Sequence, residues 1–363
     1  MGLPFKVLAF DHVHLYVGNA KQAAYYYQKL YGFEPFAYSG LETGQKEYAS
    51  YALRQKRAIF VVSAPLWADS PMNEFLTRHG DAVRDIAFLV DDVEAAWHYT
   101  TSQGAKSVRE PEISSDDNGS VKIAAIETYG DTIHTFIDRK EYKGLFLPGY
   151  EAYESPIATK PTGLIHIDHI VGNQPDDQME PMVEYYQKVF GFHRFWTVDD
   201  QDVATEHSSL RSVVVANDNE IIKMPINEPA DGIKKSQIKE YVEFNSGAGV
   251  QHIAMTTQDI VKTVTQLVEN GVEFLQVPDT YYDELTARVG EIDEEIKDLR
   301  PLGVLVDRDD KGYLLQLFTK PVEDRPTLFL EIIQRKGSNG FGKGNFKALF
   351  ESIEREQEKR GTL

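Results

Sequence analysis

An α+β fold of two duplicated domains is what this 363-residue sequence predicts, and three observations carry it. Phe10-Asp11-His12-Val13-His14-Leu15, followed by Ala24-Tyr25-Tyr26-Tyr27-Gln28-Lys29-Leu30-Tyr31-Gly32-Phe33, recurs as Ile167-Asp168-His169-Ile170, followed by Glu184-Tyr185-Tyr186-Gln187-Lys188-Val189-Phe190-Gly191-Phe192. A second motif, Asp85-Ile86-Ala87-Phe88-Leu89-Val90 with Gly104-Ala105, recurs as His252-Ile253-Ala254-Met255-Thr256 with Gly271-Val272. Each copy reads as a strand followed by a helix that stops at glycine, so each half contains the unit twice. Between the halves, residues 140–163 lack periodicity and carry Pro148-Gly149-Tyr150, Ser155-Pro156 and Lys160-Pro161-Thr162-Gly163, the composition of a linker. The expected division is 1–142, a linker at 143–163, and 164–363.

The second half holds further elements. Ser212 to Ala216 and Ile221 to Asn227 read as a hairpin about Asn217-Asp218-Asn219-Glu220, with Pro225 and Asn227 on one side near its end. Taken alone, Asn227 reads more simply as a loop-end asparagine that caps backbone. The acidic run from Glu291 to Asp298 reads as a solvated helix face. After the Asp309-Asp310-Lys311-Gly312 turn, Leu314 to Phe318 is a strand that puts Gln316 and Phe318 on one face. Following the glycine-rich Gly340-Phe341-Gly342-Lys343-Gly344, residues 345–360 place Phe346, Leu349, Phe350 and Ile353 at helical spacing, an amphipathic helix for the second domain.

Composition narrows the chemistry. Hydrophobic residues are 42 % and charged residues 26 %, ordinary for a globular chain, and no apolar run approaches the roughly 20 residues that span a bilayer. A net charge of −19 repels phosphate backbones and anionic lipid, so neither nucleic acid nor membrane is an expected partner. The amino terminus lacks a basic region followed by a sustained apolar segment, and a cytoplasmic location is expected. With no cysteine, thiolate zinc, iron-sulfur clusters, disulfides and thiol nucleophiles are excluded, and any metal must be held by nitrogen and oxygen.

Three apolar strands each carry one such ligand: His169 in Ile167-Asp168-His169-Ile170, His252 in Gln251-His252-Ile253-Ala254, and Glu331 in Phe329-Leu330-Glu331-Ile332-Ile333. A polar side chain in such a run is costly to bury unless paired, and one shared metal would account for all three. Two imidazoles and one carboxylate with open positions suit non-haem Fe(II) chemistry. His166, three residues from His169, faces the other way along a strand. In the first half, Asp85 stands where His252 would be and no glutamate matches Glu331, so His12 and His14 read as hydrogen-bonded polar residues of a decayed duplicate. The metal is expected in the second domain only.

Strand, helix and three antiparallel strands, used four times, resembles the vicinal oxygen chelate superfamily, which implies paired βαβββ modules curled into half-open barrels. Pro225-Ile226-Asn227-Glu228-Pro229, Lys235-Ser236-Gln237-Ile238, Gly247 to Ala254, Phe329 to Arg335 and Gly340 to Phe346 are similar to the runs of the 4-hydroxyphenylpyruvate dioxygenase family. That resemblance covers the whole C-terminal half and, more weakly, the N-terminal half. It implies Fe(II) on His169, His252 and Glu331, and a polar network of Ser212, Asn227, Gln237 and Gln251 with Gln316 close to the metal. Phe318 and Phe346 would bracket the substrate ring, Pro225, Phe341, Asn345 and Leu349 would complete the wall, and the terminal helix would be a lid. The implied catalytic set is Gln316, Phe346, Asn227 and Gln251. The implied reaction converts 4-hydroxyphenylpyruvate and O2 to homogentisate and CO2 by oxidative decarboxylation, ring hydroxylation and side-chain migration, in tyrosine and phenylalanine catabolism, by a dimer or tetramer. Three rivals remain. A 4-hydroxymandelate synthase would attack the benzylic carbon but tends to carry smaller aliphatic residues at Phe346. An extradiol catechol dioxygenase would need further acid and base histidines, and a non-catalytic binding protein would usually have a broken triad.

Overall fold

In the computed structural model, which describes residues 2–198, 209–230 and 234–362, the repeat becomes four modules. The first comprises β1 (Val7–Tyr16), α1 (Ala20–Tyr31), β2 (Glu34–Ser39), β3 (Tyr48–Gln55) and β4 (Ala58–Pro65). A short α2 (Met72–His79) leads to β5 (Ala82–Val90), α3 (Val93–Ser102), β6 (Ser107–Asp116), β7 (Gly119–Glu127) and β8 (Ile133–Asp138), and then to a two-residue strand, β9 (Glu151–Ala152). The third module is β10 (Ile167–Asn173), α4 (Met179–Phe190), β11 (His193–Val198), β12 (Ser209–Ala216) and β13 (Lys223–Ala230). After α5 (Gln237–Phe244) come β14 (Gly249–Thr256), α6 (Ile260–Asn270), three short helices α7 (Thr280–Asp283), α8 (Leu285–Val289) and α9 (Ile296–Leu299), and then β15 (Leu305–Asp309), β16 (Gly312–Phe318) and β17 (Phe329–Lys336). The chain closes with α10 (Phe346–Arg360).

The helices start and stop where local chemistry dictates. Asn19 and Asp259 accept backbone N–H bonds from Gln22 and Lys262 at the starts of α1 and α6, satisfying donors that the first turn leaves free. Gly32 and Gly271 end them in the left-handed region. Gly32 has a second reason to be glycine: a Cβ there would run into the backbone of Lys160.

The two halves repeat one topology. The strand order is β6-β7-β8-β5-β1-β4-β3-β2-β9 in one sheet and β11-β12-β13-β10-β14-β17-β16-β15 in the other. Read in reverse, the second order matches the first without β9. In each half the first and last strands of a module are parallel neighbours, and two modules join through an antiparallel pair, β1 with β5 and β10 with β14. Both sheets curl into half-barrels. Their helical faces share one core in which Phe88 meets Phe190 and the Asn270 amide donates to the Leu30 carbonyl.

Two expectations need revision. The run from Glu291 to Asp298 is no helix face, since only Ile296–Leu299 is helical; Glu294 instead turns inward to accept from Tyr313 and Gln334. The breaker-rich segment is more than a tether, because β9 extends the first sheet beside β2 and Phe146 is buried against it. Among the described residues no helix is long and apolar enough to cross a membrane.

Candidate metal centre

Three adjacent strands bring the polar exceptions together. β14 lies between β10 and β17, and Ala254 is the register partner of both His169 and Glu331. His252 is two residues from Ala254, hence on the same face. The alanine methyl is all that occupies the middle, and the three larger side chains converge over it. Among the described residues this is the one group of three or more possible ligands whose donor atoms all lie within 4.8 Å of one another.

The geometry fits one cation. Glu331 Oε2 is 3.1 Å from His169 Nε2 and 3.4 Å from His252 Nε2; neighbouring donors around an octahedral metal at about 2.1 Å would sit about 3 Å apart. Glu331 is 2 % exposed, yet its Oε1 has no hydrogen-bond partner, which a metal would remedy. Burial pushes the Glu331 carboxyl up, but the adjacent His169 and His252 outweigh it and hold it down at about 2. Burial alone would lower both imidazoles. Glu331 and Asp168 overturn this at His169, which is raised, whereas His252 stays lowered.

The imidazoles are held from behind. His169 Nδ1–H donates to Asp168 Oδ2 at 2.7 Å, and His252 Nδ1–H donates to Gln251 Oε1 at 3.0 Å. Both Nε2 lone pairs therefore point at the centre. Asp168 is gripped in turn by Arg335 through two bonds of 2.8 and 2.7 Å. Burial raises the Asp168 carboxyl, but Arg335 and His169 drive it well below the usual carboxylate range.

The N-terminal half retains this frame without its ligands. Arg139 makes the same pair of bonds to Asp11, Asp11 accepts from His12 at 2.7 Å, and Phe146 packs edge-on to His12 as Phe341 packs on His169. By register, His12 faces Ala87, which puts Asp85 at the place of His252 and Thr135 at that of Glu331. Asp85 is spent on Thr135, accepting from both its backbone N–H and its hydroxyl. His14 is occupied by Ser63 at 2.7 Å. His166, likewise outside the cluster, bonds Thr256.

A cavity opens over the three ligands. Ser212, Pro225, Asn227, Gln237, Gln251, Gln316, Phe318, Phe341, Phe346 and Leu349 line it. Asn227 is not at a loop end: it pairs with Ser212 across β12 and β13, and its amide donates to Asn173 Oδ1 at 3.2 Å. Asn345 stands apart, behind the wall, where its Oδ1 accepts from Tyr281 at 2.7 Å at the foot of α10. Four further residues line the cavity: Val171, Leu210, Phe329 and Phe350. The strand period could have found three of them, since each lies two residues from a site residue already named, and Phe350 is one helical turn beyond Phe346.

Comparison with known proteins places this centre in a lineage. Residues 4–151 match the family model described as hydroxyphenylpyruvate dioxygenase, HPPD, N-terminal. Residues 166–317 match the glyoxalase/bleomycin resistance protein/dioxygenase superfamily. The chain is 53 % identical over 369 residues to 4-hydroxyphenylpyruvate dioxygenase of Danio rerio, covering 99 % of this chain and 93 % of the relative. It is 52 % identical to the Dictyostelium discoideum protein of the same name, covering 98 % and 99 %. A solved structure of a triple mutant of 4-hydroxymandelate synthase from Streptomyces coelicolor superposes with a TM-score of 0.87 at 31 % identity, over 97 % of this chain and 99 % of that one. The duplicated sheets, the two-histidine, one-glutamate cluster and the full-length identity together make the chain a member of the 4-hydroxyphenylpyruvate dioxygenase family.

Proposed function

We propose that the protein converts 4-hydroxyphenylpyruvate and O2 to homogentisate and CO2, with Fe(II) held by His169, His252 and Glu331. The observation that carries this reading is a complete ligand cluster at the floor of a cavity with an otherwise uncharged lining, in a chain of that family. When bound, the metal supplies open positions for a 2-oxo acid and for O2 and makes the dioxygen reactive. Among the described lining residues none is Lys or Arg. An anionic oxo acid would therefore take its counter-charge from a metal held by His169, His252 and Glu331, which favours a chelating acid over a simple one.

The protein's own contribution is orientation and shelter. Asp168 and Gln251 keep the imidazole protons on the outer nitrogens, so the inner nitrogens stay free as ligands. Phe318 and Phe346 hold the substrate ring from opposite walls, while Ser212, Asn227, Gln237 and Gln251 orient its polar groups. Gln316 lines the cavity with a buried Nε2 that has no partner, a donor left available for a bound ligand. The α10 helix covers the mouth and excludes water, which keeps a reactive oxidant from side reactions. We place the reaction in tyrosine and phenylalanine catabolism, carried out in the cytoplasm by a dimer or tetramer, as family membership supports.

Incubation of Fe(II)-loaded protein with 4-hydroxyphenylpyruvate under air, with product identification by mass spectrometry, tests the proposal. Homogentisate with CO2 is expected, and 4-hydroxymandelate would move the assignment to the synthase. In Phe346→Ile, part of the flux should divert to the benzylic product; an unchanged product ratio would remove Phe346 from that role.

A further inference from the structure

A second, small cavity lies on the far side of the wall that supports His252. Gln237, Gln251 and Phe329 line both cavities. The partition is one side chain thick. Gln251 accepts the His252 Nδ1–H, and the Phe329 ring stacks on the imidazole at 4.8 Å and 20°. Leu275, Ile353 and Phe329 give this second cavity one apolar stretch, and Glu240, Glu356 and Arg360 make another part of its lining charged. Its outer end lies by the last turn of α10, where Arg360 pairs with Glu240 at 2.8 Å.

We infer that this chamber is a route for O2, delivering the gas to the metal from behind His252 while the substrate and α10 close the main cavity. The inference rests on the dioxygenase reading of the site. Once an oxo acid fills the main cavity beneath α10, O2 needs another approach. O2 is small and apolar, so it partitions onto the apolar stretch between Leu275, Ile353 and Phe329, past the Glu240 and Glu356 carboxylates that repel an anionic acid. Phe329 stands between the His252 imidazole and the Leu275 and Ile353 side chains, so displacement of its ring opens the passage.

Two measurements test this separately from the identity of the reaction. Crystals of the unaltered protein pressurised with xenon should show the gas behind Phe329; a chamber holding only ordered water would overturn the proposal, whatever the enzyme turns over. In Leu275→Trp and, separately, Ile353→Phe, the chamber is filled from positions that do not line the main cavity. Each should raise KM for O2 by about threefold to tenfold, with kcat at saturating O2 and the anaerobic Kd for 4-hydroxyphenylpyruvate unchanged. An unchanged KM for O2 in both folded variants would overturn the route. Absence of turnover by the unaltered protein would instead overturn the dioxygenase reading and leave the xenon result to judge the chamber.

Discussion

Asp168 illustrates how much of a metal centre lies outside its ligands. It does not line the cavity over the ligands, yet it fixes the His169 tautomer and neutralises the mostly buried Arg335. Asp168→Asn should therefore do two things. Metal affinity should fall about 10- to 100-fold as the imidazole loses its orienting carboxylate, measured by competition with a chelating dye. Stability should fall by about 3–5 kcal/mol because a buried guanidinium is left without its counter-charge, measured by urea unfolding of the metal-free protein. Loss of affinity without loss of stability would show that Arg335 finds another acceptor.

At the scale of elements, the turn before α10 sets the position of the cover. Gly342 adopts φ +76°, and a Cβ there would run into the Gln316 amide. Gly342→Ala should cost about 1–2 kcal/mol for the left-handed backbone and displace Gln316. The expected signature is a lowered kcat with metal content unchanged. The two sheets make a second prediction. Their scaffolds match down to Asp11–Arg139 and Asp168–Arg335, but only one carries ligands at all three register positions. Metal analysis should give one ion per chain; His12→Ala should leave that value intact, and His169→Ala should abolish it. Retention of metal by His169→Ala would mean that the first sheet binds it.

For the whole molecule, the seam between the halves carries a titratable group. His134 is fully buried; its Nδ1–H donates to the Ile86 carbonyl, and its Nε2 accepts from the Tyr186 hydroxyl of the other half. The neutral ring satisfies both bonds. Burial lowers His134 from 6.5 to about 4, with the Ile86 bond opposing weakly. Between those values the unfolded chain binds more protons than the folded one, so stability rises with pH across that window and is lost as pH falls through it. Going from pH 7 to pH 5 should remove about 2 kcal/mol at this residue alone. Urea midpoints at the two pH values should differ markedly in the natural protein and less in His134→Gln.

The duplication, the strand-helix order of each module and the identity of His169, His252 and Glu331 could be read from residues alone. The reason is physical: a period of two or 3.6 and a polar residue in an apolar run are local properties of the chain. Hairpin pairing of β12 with β13 and of β15 with β16 was legible for the same reason, because turn chemistry acts over a few residues. What needed the tertiary structure depends on contacts distant in sequence. That Asn227 reaches Asn173 rather than capping a loop, that Glu294 turns inward instead of continuing a helix face, that Asn345 lies behind the cavity wall, and that Arg335 grips Asp168 across 167 residues follow from sheet order and register. Residue spacing decides which face a side chain takes; only the folded sheets decide what it meets there.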